Sequence, residues 1–274
     1  MTNGSVSSVV HESRGETLDF LGLNFDRLNE NEALLEIQRM MVIDRFSYVV
    51  TPNVDHIVQL AKSSDDSILS AYLMAQLVLC DSRILSLLSD RSGIMLEAVP
   101  GSDLTRSLLS TAGKSWRLTV VGGSETLHMA LRKLYPNFSW TFYEPPMGVR
   151  HDPIARRAIA EFIENGTADL IFFAIGAPQS EITCHEIAMR GRAKGVALCI
   201  GASLEFLAGE KRRAPNWMQK LGLEWLYRLG SEPGRLWRRY LIEGPRIFII
   251  WWRWNRIRVA HLHAASCSNR FDEK

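Results

Sequence analysis

Short, nearly unbroken apolar runs recur along the chain, and several end in a small cluster of Gly, Pro, Asn or Ser. Phe46–Val50 runs into Thr51-Pro52-Asn53, Leu118–Val121 into Gly122-Gly123, Leu170–Ile175 into Gly176-Ala177-Pro178, and Val196–Ile200 into Gly201-Ala202-Ser203. Leu77–Cys80 leads to Asp81-Ser82, and Trp140–Tyr143 to Pro145-Pro146-Met147-Gly148. Runs without polar alternation predict strands buried on both faces, as in a parallel sheet. Helical patterns fill most of the intervals, at 53–63, 102–111, 125–134, 153–165 and 180–193. The alternation predicts an α/β fold, a Rossmann-like, doubly wound, mainly parallel sheet over about residues 15–205. Ligands of such sheets bind outside the carboxyl ends of the strands, where the small-residue clusters gather.

The pattern changes near Gly209. Ala214-Pro215 can begin a helix that Gly230 ends, with Trp217, Leu221 and Trp225 on one face. Ser231-Glu232-Pro233 reads as the cap of a second helix, which Gly244-Pro245 closes. The following stretch, Arg246–Arg258, mixes large apolar side chains with Arg253, Arg256 and Arg258. That mixture suits a segment lying in the headgroup layer of a membrane, aromatic side inward and basic side towards phosphates. The expected organisation is a flexible N-terminus at 1–14, a catalytic core at 15–209, a helical membrane-associating appendage at 210–258 and a polar tail at 259–274.

Composition sharpens this division. The 274 residues are 46% hydrophobic and 23% charged, which is ordinary for a folded globular protein and excludes a disordered or collagen-like chain. The net charge of +2 conceals a strong asymmetry. Residues 211–258 hold 12 Lys/Arg against three acids, a balance of +9, so the remainder carries −7. The same stretch contains six of the eight tryptophans. Cys80, Cys184, Cys199 and Cys267 are scattered without metal-ligand spacing, so neither a zinc site nor a disulfide framework is expected. Met1–Glu16 lacks the apolar core of a signal peptide, and no run reaches the roughly 20 apolar residues of a membrane span.

Several residues could carry chemistry. Asp81 follows an apolar run, so it faces the cleft and can act as a general base; the alternative is a helix cap. Gly122-Gly123 stands between strand and helix, where a backbone can approach phosphate, or simply make a turn needing positive φ. Gly176 opens a similar turn, in which Ser180 reads as a cap because no GxSxG surrounds it. Asp55, His56 and Asp103 fit early helical turns. Arg228, Arg235, Arg238 and Arg239 could meet on one surface if the tail helices fold back, offering planar forks of donors to phosphate. Stacking of single-stranded nucleic acid on the tryptophans is a weaker reading of the same tail.

These pieces together resemble the WecG/TagA/CpsF family of glycosyltransferases, glycosyltransferase family 26, from about Phe20 to Pro245. The tail carries most of the likeness: Arg213-Ala214-Pro215-Asn216-Trp217, Gly222-Leu223-Glu224-Trp225-Leu226-Tyr227-Arg228-Leu229 and Glu232-Pro233-Gly234-Arg235-Leu236-Trp237-Arg238-Arg239-Tyr240. Thr51-Pro52-Asn53-Val54-Asp55-His56, Pro100-Gly101-Ser102-Asp103-Leu104 and Gly201-Ala202-Ser203-Leu204-Glu205 fall where similar family motifs fall. The resemblance implies inverting, metal-independent transfer of a sugar from a nucleotide-sugar donor, a UDP-sugar, to an undecaprenyl-diphosphate-linked sugar. The reaction would occur at the cytoplasmic face of a bacterial inner membrane, in surface-polysaccharide synthesis.

It implies Asp81 as base, with Thr51 and Asn53 beside it. Nucleotide-sugar contacts would come from Gly122, Gly123, Gly176, Gln179, Gly201 and Glu205, and Arg228, Arg235 and Arg238 would hold the lipid diphosphate. No cofactor, metal or nucleic acid is expected. The membrane surface is the expected partner of the appendage, and association into a homo-oligomer is compatible with the family. Where the family usually has Ala-Asp-Gly and a small residue, this chain has Cys80-Asp81-Ser82-Arg83; Ala98 replaces an arginine, Gln179-Ser180 replaces Lys-Gln, and Glu205 replaces aspartate. The competing readings are a nucleotide-dependent oxidoreductase, which lacks a GxGxxG here, and a noncatalytic adaptor for nucleic acid or membrane.

Overall fold

The computed structural model describes residues 15–111 and 115–269, with side chains through His261 apart from those of 216 and 220. The predicted flexible segment at 1–14, the last residues of the tail and the Cys267 side chain lie outside the described part. A hairpin of β1 (Thr17–Phe20) and β2 (Leu23–Asp26) precedes helix α1 (Glu30–Met41). Then follow β3 (Phe46–Val50), α2 (Val54–Lys62), α3 (Asp66–Leu73), β4 (Leu77–Val78), α4 (Arg83–Arg91) and α5 (Gly101–Thr111). The second half of the core is β5 (Arg117–Gly122), α6 (Glu125–Leu134), β6 (Ser139–Tyr143), α7 (Pro153–Glu164), β7 (Leu170–Ala174), α8 (Gln179–Arg190), β8 (Gly195–Cys199) and α9 (Ser203–Leu207).

Six strands form one parallel sheet in the order β4-β3-β8-β7-β5-β6. Alternate residues of each strand enter opposite halves of the core. Tyr48, Val50, Ile171 and Phe173 pack towards Ile57, Tyr72 and Ile187, whereas Val49, Phe172, Val196 and Leu198 pack towards Ile37, Leu104 and Leu127. Both faces are therefore dry, which explains the unbroken apolar runs. The Rossmann-like expectation agrees with this sheet. The β1–β2 hairpin, α1, α3 and α4 are additions that the apolar runs did not announce.

The hairpin has a direct role at the catalytic edge. Strand β4 is only two residues long and lies at the rim of the sheet, and buried Asp26 accepts a hydrogen bond from Val78 N at 2.7 Å. Beyond β4, Leu79 N donates to Val50 O at 2.9 Å and Asp81 N to Pro52 O at 3.0 Å. The chain after β4 thus stays pinned to the chain after β3.

The appendage differs from expectation in three places. The helix expected over 215–230 is broken: α10 (Asn216–Lys220) and α11 (Glu224–Ser231) are separated at Gly222, whose φ of +71° suits a residue without Cβ. Trp217 and Trp225 therefore do not share a continuous face; Trp217 is exposed and Trp225 lines a cavity. Helix α12 (Pro233–Trp237) passes through one π-helical stretch, Arg238–Glu243, before the turn at Gly244. Helix α13 (Arg246–Asn269) then runs on past Arg258, and part of its aromatic face is used by the core rather than free for lipid. Ile247 is buried, Trp254 stands edge-on to Phe20 with centroids 5.2 Å apart, and Trp251 Nε1 donates to Leu88 O and Ser92 Oγ. Ser180, expected as a cap, instead donates its hydroxyl to Gly176 O at 2.8 Å from within α8.

Asp26→Ala should destabilise the fold by about 1–3 kcal/mol in urea unfolding, because the buried Val78 amide loses its acceptor. Asp26→Asn, which keeps an acceptor oxygen, should recover much of that loss; equal stability of wild type and the Ala variant would contradict the pinning role.

Candidate active site

Three chain segments converge where β3 and β4 end. Asp81 sits against Pro52, and Val99 N donates to Cys80 O at 2.7 Å, bringing the segment before α5 alongside. Helix α5 opens at Gly101, the only side-chain-free residue at this junction. A Cβ there would stand 3.3 Å from Thr51 Oγ1, 3.5 Å from Ser203 Oγ and 3.7 Å from Asp81 Oδ2. The close approach lets the Gly101 amide donate to the Asp81 carboxylate.

Asp81 has the environment of a base; buried Glu181 is also pushed up to about 7, but it lies on α8 outside this cavity. Burial pushes its pKa up to about 7; Arg228 opposes this, Glu224 reinforces it, and the Gly101 amide and Arg213 oppose it further. Such a group is about half ionised at neutral pH, the condition that suits general-base work.

Thr51 lies behind Asp81, buried, with Oγ1 donating to Cys199 O at 3.1 Å, so its hydroxyl ties β3 to β8. Asn53 lines the cavity in front of Asp81 and also caps α2, accepting from Asp55 N at 3.0 Å. Ser82 caps α4 by accepting from Leu85 N.

The cavity over Asp81 holds about 400 Å³, and the appendage forms much of its wall. Three of its arginines are each matched to a carboxylate. Arg213 Nη2 lies 2.9 Å from Asp103 Oδ2, Arg228 Nη2 lies 2.6 Å from Glu224 Oε1, and Arg239 Nη2 lies 3.2 Å from Asp55 Oδ2. The Arg228 guanidinium also covers the Phe206 ring, 4.9 Å from its centroid. The Nε atoms of all three are buried without a hydrogen-bond partner.

Of the four tail arginines that could offer donors to phosphate, Arg228 and Arg239 line this cavity; of the three that the family resemblance assigned to the lipid diphosphate, Arg228 does. Arg235 pairs with Glu232 at 2.6 Å and is 62% exposed, and Arg238 is exposed outside the lining. Arg213 and Arg239 stand where those two were expected. Arg213 begins the quoted tail string and Asp103 sits in Pro100–Leu104, but nothing in either stretch alone reveals that they pair.

The predicted nucleotide loops lie along the same edge of the sheet. Strand β5 leads outward to β6, while its neighbour β7 leads the other way to β8, so Gly122 and Gly176 flank a reversal of strand order. Crevices at such reversals are the usual ligand positions of open α/β sheets. Gly122 and Gly123 have φ of +97° and +82°, and a Cβ on either would come within 2.7 Å of Ile175 or Leu127. Tight packing alone thus accounts for both. Gln179 donates to Ile175 O, Glu205 pairs with Lys211, and Gly201 follows β8 by two residues. The β5 edge is four strand spacings from β4, about 19 Å. An extended nucleotide sugar could reach from one to the other; these loops and Asp81 do not form a single small pocket.

A near-neutral carboxylate facing guanidiniums, at the carboxyl end of a doubly wound sheet, suits a phosphate-bearing ligand. The sequence comparisons specify the class of enzyme. The family described as "Glycosyl transferase WecG/TagA/CpsF family" matches residues 18–260, and the chain belongs to that family. It is a glycosyltransferase.

Two relatives carry the name N-acetylglucosaminyldiphosphoundecaprenol N-acetyl-beta-D-mannosaminyltransferase. The protein of Bacillus subtilis (strain 168) is 31% identical over 148 residues, covering 52% of this chain and 55% of its own length. That of Staphylococcus aureus (strain MRSA252) is 26% identical over 231 residues, covering 81% of this chain and 87% of its own. The aligned region thus spans little more than half of the Bacillus relative.

The raised Asp81 pKa has a measurable cost. The folded carboxyl keeps its proton up to about pH 7, whereas an unfolded aspartate loses it near 4. Folding therefore takes up a proton between these values, and the stability contributed below pH 4 is lost as pH rises through 7. Asp81→Asn has no such loss. Its Tm should exceed that of wild type at pH 8 and converge with it near pH 4; a difference independent of pH would contradict the assignment.

Proposed function

We propose that the chain transfers a sugar from a UDP-sugar to a sugar carried on undecaprenyl diphosphate, inverting the anomeric centre without a metal. The observation that carries this reading is Asp81, poised near neutrality in a cavity whose wall presents Arg213, Arg228 and Arg239. The names of the two relatives supply the acceptor class, an N-acetylglucosaminyl diphosphoundecaprenol, and an N-acetylmannosaminyl group as the leading candidate for transfer.

In the proposed step the acceptor hydroxyl gives its proton to an Asp81 carboxylate oxygen as its own oxygen bonds to the anomeric carbon. The bond from that carbon to the donor phosphate breaks on the opposite face, and its electron pair leaves with the nucleoside diphosphate. Asn53 borders the acceptor, and Thr51 holds the β3 edge in register behind the base. Backbone amides of the strand-end loops oppose the charge that develops on the leaving diphosphate, a role that preorganised donors perform well. Arg228 takes the lipid diphosphate in this reading, with Arg213 and Arg239 beside it. Arg235 and Arg238 serve the approach to the cavity rather than its interior.

The donor lies along the strand ends from Gly201 and Gly176 towards Gly122, with Gln179 and Glu205 at its flank. The enzyme works as a peripheral protein at the cytoplasmic face of the membrane. Among the described residues, no helix is long and apolar enough to cross a membrane. Contact with lipid falls to the part of α13 that the core leaves uncovered, where Phe248, Ile249 and Trp252 are about half exposed beside exposed Arg253 and Arg256.

Two measurements follow. Mass-detected transfer from UDP-N-acetylmannosamine to a polyprenyl-diphosphate N-acetylglucosamine should fall at least about 10³-fold in Asp81→Asn, since the base is lost. The wild-type rate should rise with pH through an inflection near 7, ten times slower per unit well below it. An active Asn variant would remove Asp81 from the mechanism. Paired replacement of Ile249 and Trp252 by Ser should weaken binding to anionic liposomes while leaving the thermal transition intact; unchanged binding would move the membrane contact elsewhere.

A further inference from the structure

The cavity over Asp81 contains a fourth guanidinium. Arg83, the first residue of α4, lines the cavity two positions beyond the base and is exposed to its solvent. The other three arginines are held by Asp103, Glu224 and Asp55. Arg83 has no carboxylate partner among the described residues. It does face Asp103, whose pKa it helps to lower, but Arg213 and Arg106 already occupy that carboxylate. These pairings leave Arg83, among the described residues, as the arginine of the cavity wall without a carboxylate of its own.

A second property limits what this charge can meet. The same cavity is walled by Ile84, next to Arg83, and by Leu241, Ile247 and Phe248 of the appendage. Leu241 and Phe248 are about half exposed, so apolar surface continues outward from the charged end. The combination fits a ligand with an anionic head and an apolar chain. The loops expected to hold the nucleotide, at Gly122, Gly176 and Gly201, are not among the residues that line this cavity.

We infer that Arg83 is a binding residue for the diphosphate of the lipid-linked acceptor, the free cation that engages it first. The inference rests on the proposed function, because it takes the cavity as the acceptor site. On this account the three paired arginines are positioned in advance by their carboxylates, and their fixed pairing keeps the empty cavity from collapsing onto Asp81. The diphosphate then finds one unclaimed fork of donors in Arg83.

The test uses the full chain with two probes, farnesyl diphosphate and UDP, titrated by calorimetry with wild type, Arg83→Gln, Arg83→Lys and Arg228→Ala. Arg83→Gln should weaken farnesyl diphosphate about tenfold, as expected for one charged hydrogen-bonding group. Its UDP affinity should stay within about twofold, its salt dependence should flatten, and Arg83→Lys should recover part of the loss. Undiminished farnesyl diphosphate binding by Arg83→Gln, with Arg228→Ala impaired, overturns the role of Arg83 and leaves the proposed function standing. Selective loss of UDP binding also overturns it, by moving Arg83 to the donor. If wild type and Arg228→Ala alike fail to bind farnesyl diphosphate, the acceptor-site reading falls and takes this inference with it. Thermal transitions of the variants establish that each is folded before titration.

Discussion

Taking a carboxylate partly out of water is costly, and the strand ends of β3 and β4 are organised around meeting that cost at Asp81. The hairpin residue Asp26 pins β4, β4 delivers Asp81 to the turn after β3, and Gly101 lets a backbone amide reach the carboxylate. The appendage completes the enclosure. Arg228 favours the ionised form and Glu224 the protonated one, and the opposition holds the group near neutrality rather than at either extreme.

Anchoring of the appendage follows from the same economy. Arg213 bridges to Asp103 on α5, Arg239 to Asp55 on α2, and Trp251 to the end of α4. Each joins a segment after residue 209 to a helix that borders Asp81. These ties also neutralise charge: many of the cations of residues 211–258 face solvent, while those that enter the cavity, Arg213, Arg228 and Arg239, are accompanied by acids of the core or the appendage. The split in charge along the sequence is therefore partly recombined in three dimensions. Such pairs organise the donors that a diphosphate would later engage.

The sheet was legible because strands buried on both faces cannot alternate in polarity, so Phe46–Val50, Leu170–Ala174 and Gly195–Cys199 stand out from their surroundings. Helices α1 and α4 were less visible because their apolar residues occupy only one face. Asp81 was legible from its place after an apolar run, and the family likeness sharpened its role. The arginines were harder. Arg228, Arg235 and Arg238 are close in sequence, yet successive short helices turn Arg235 and Arg238 away from the cavity. Arg213 and Arg239 enter it through tertiary contacts with Asp103 and Asp55, which no local spacing encodes. The aromatic tail had the same ambiguity: the pattern of Trp251, Trp252 and Trp254 suits lipid and protein equally, and the fold divides them between the two.

The central claim is that enclosure by the appendage, rather than anything intrinsic to the turn, sets the basicity of Asp81. The most direct measurement is a 13C NMR titration of the Asp81 carboxyl in the full chain, assigned by its disappearance in Asp81→Asn and repeated in Glu224→Gln. A pKa near 7 that falls when the Glu224 charge is removed is the predicted result. A pKa near 4, the ordinary aspartate value, would contradict the account.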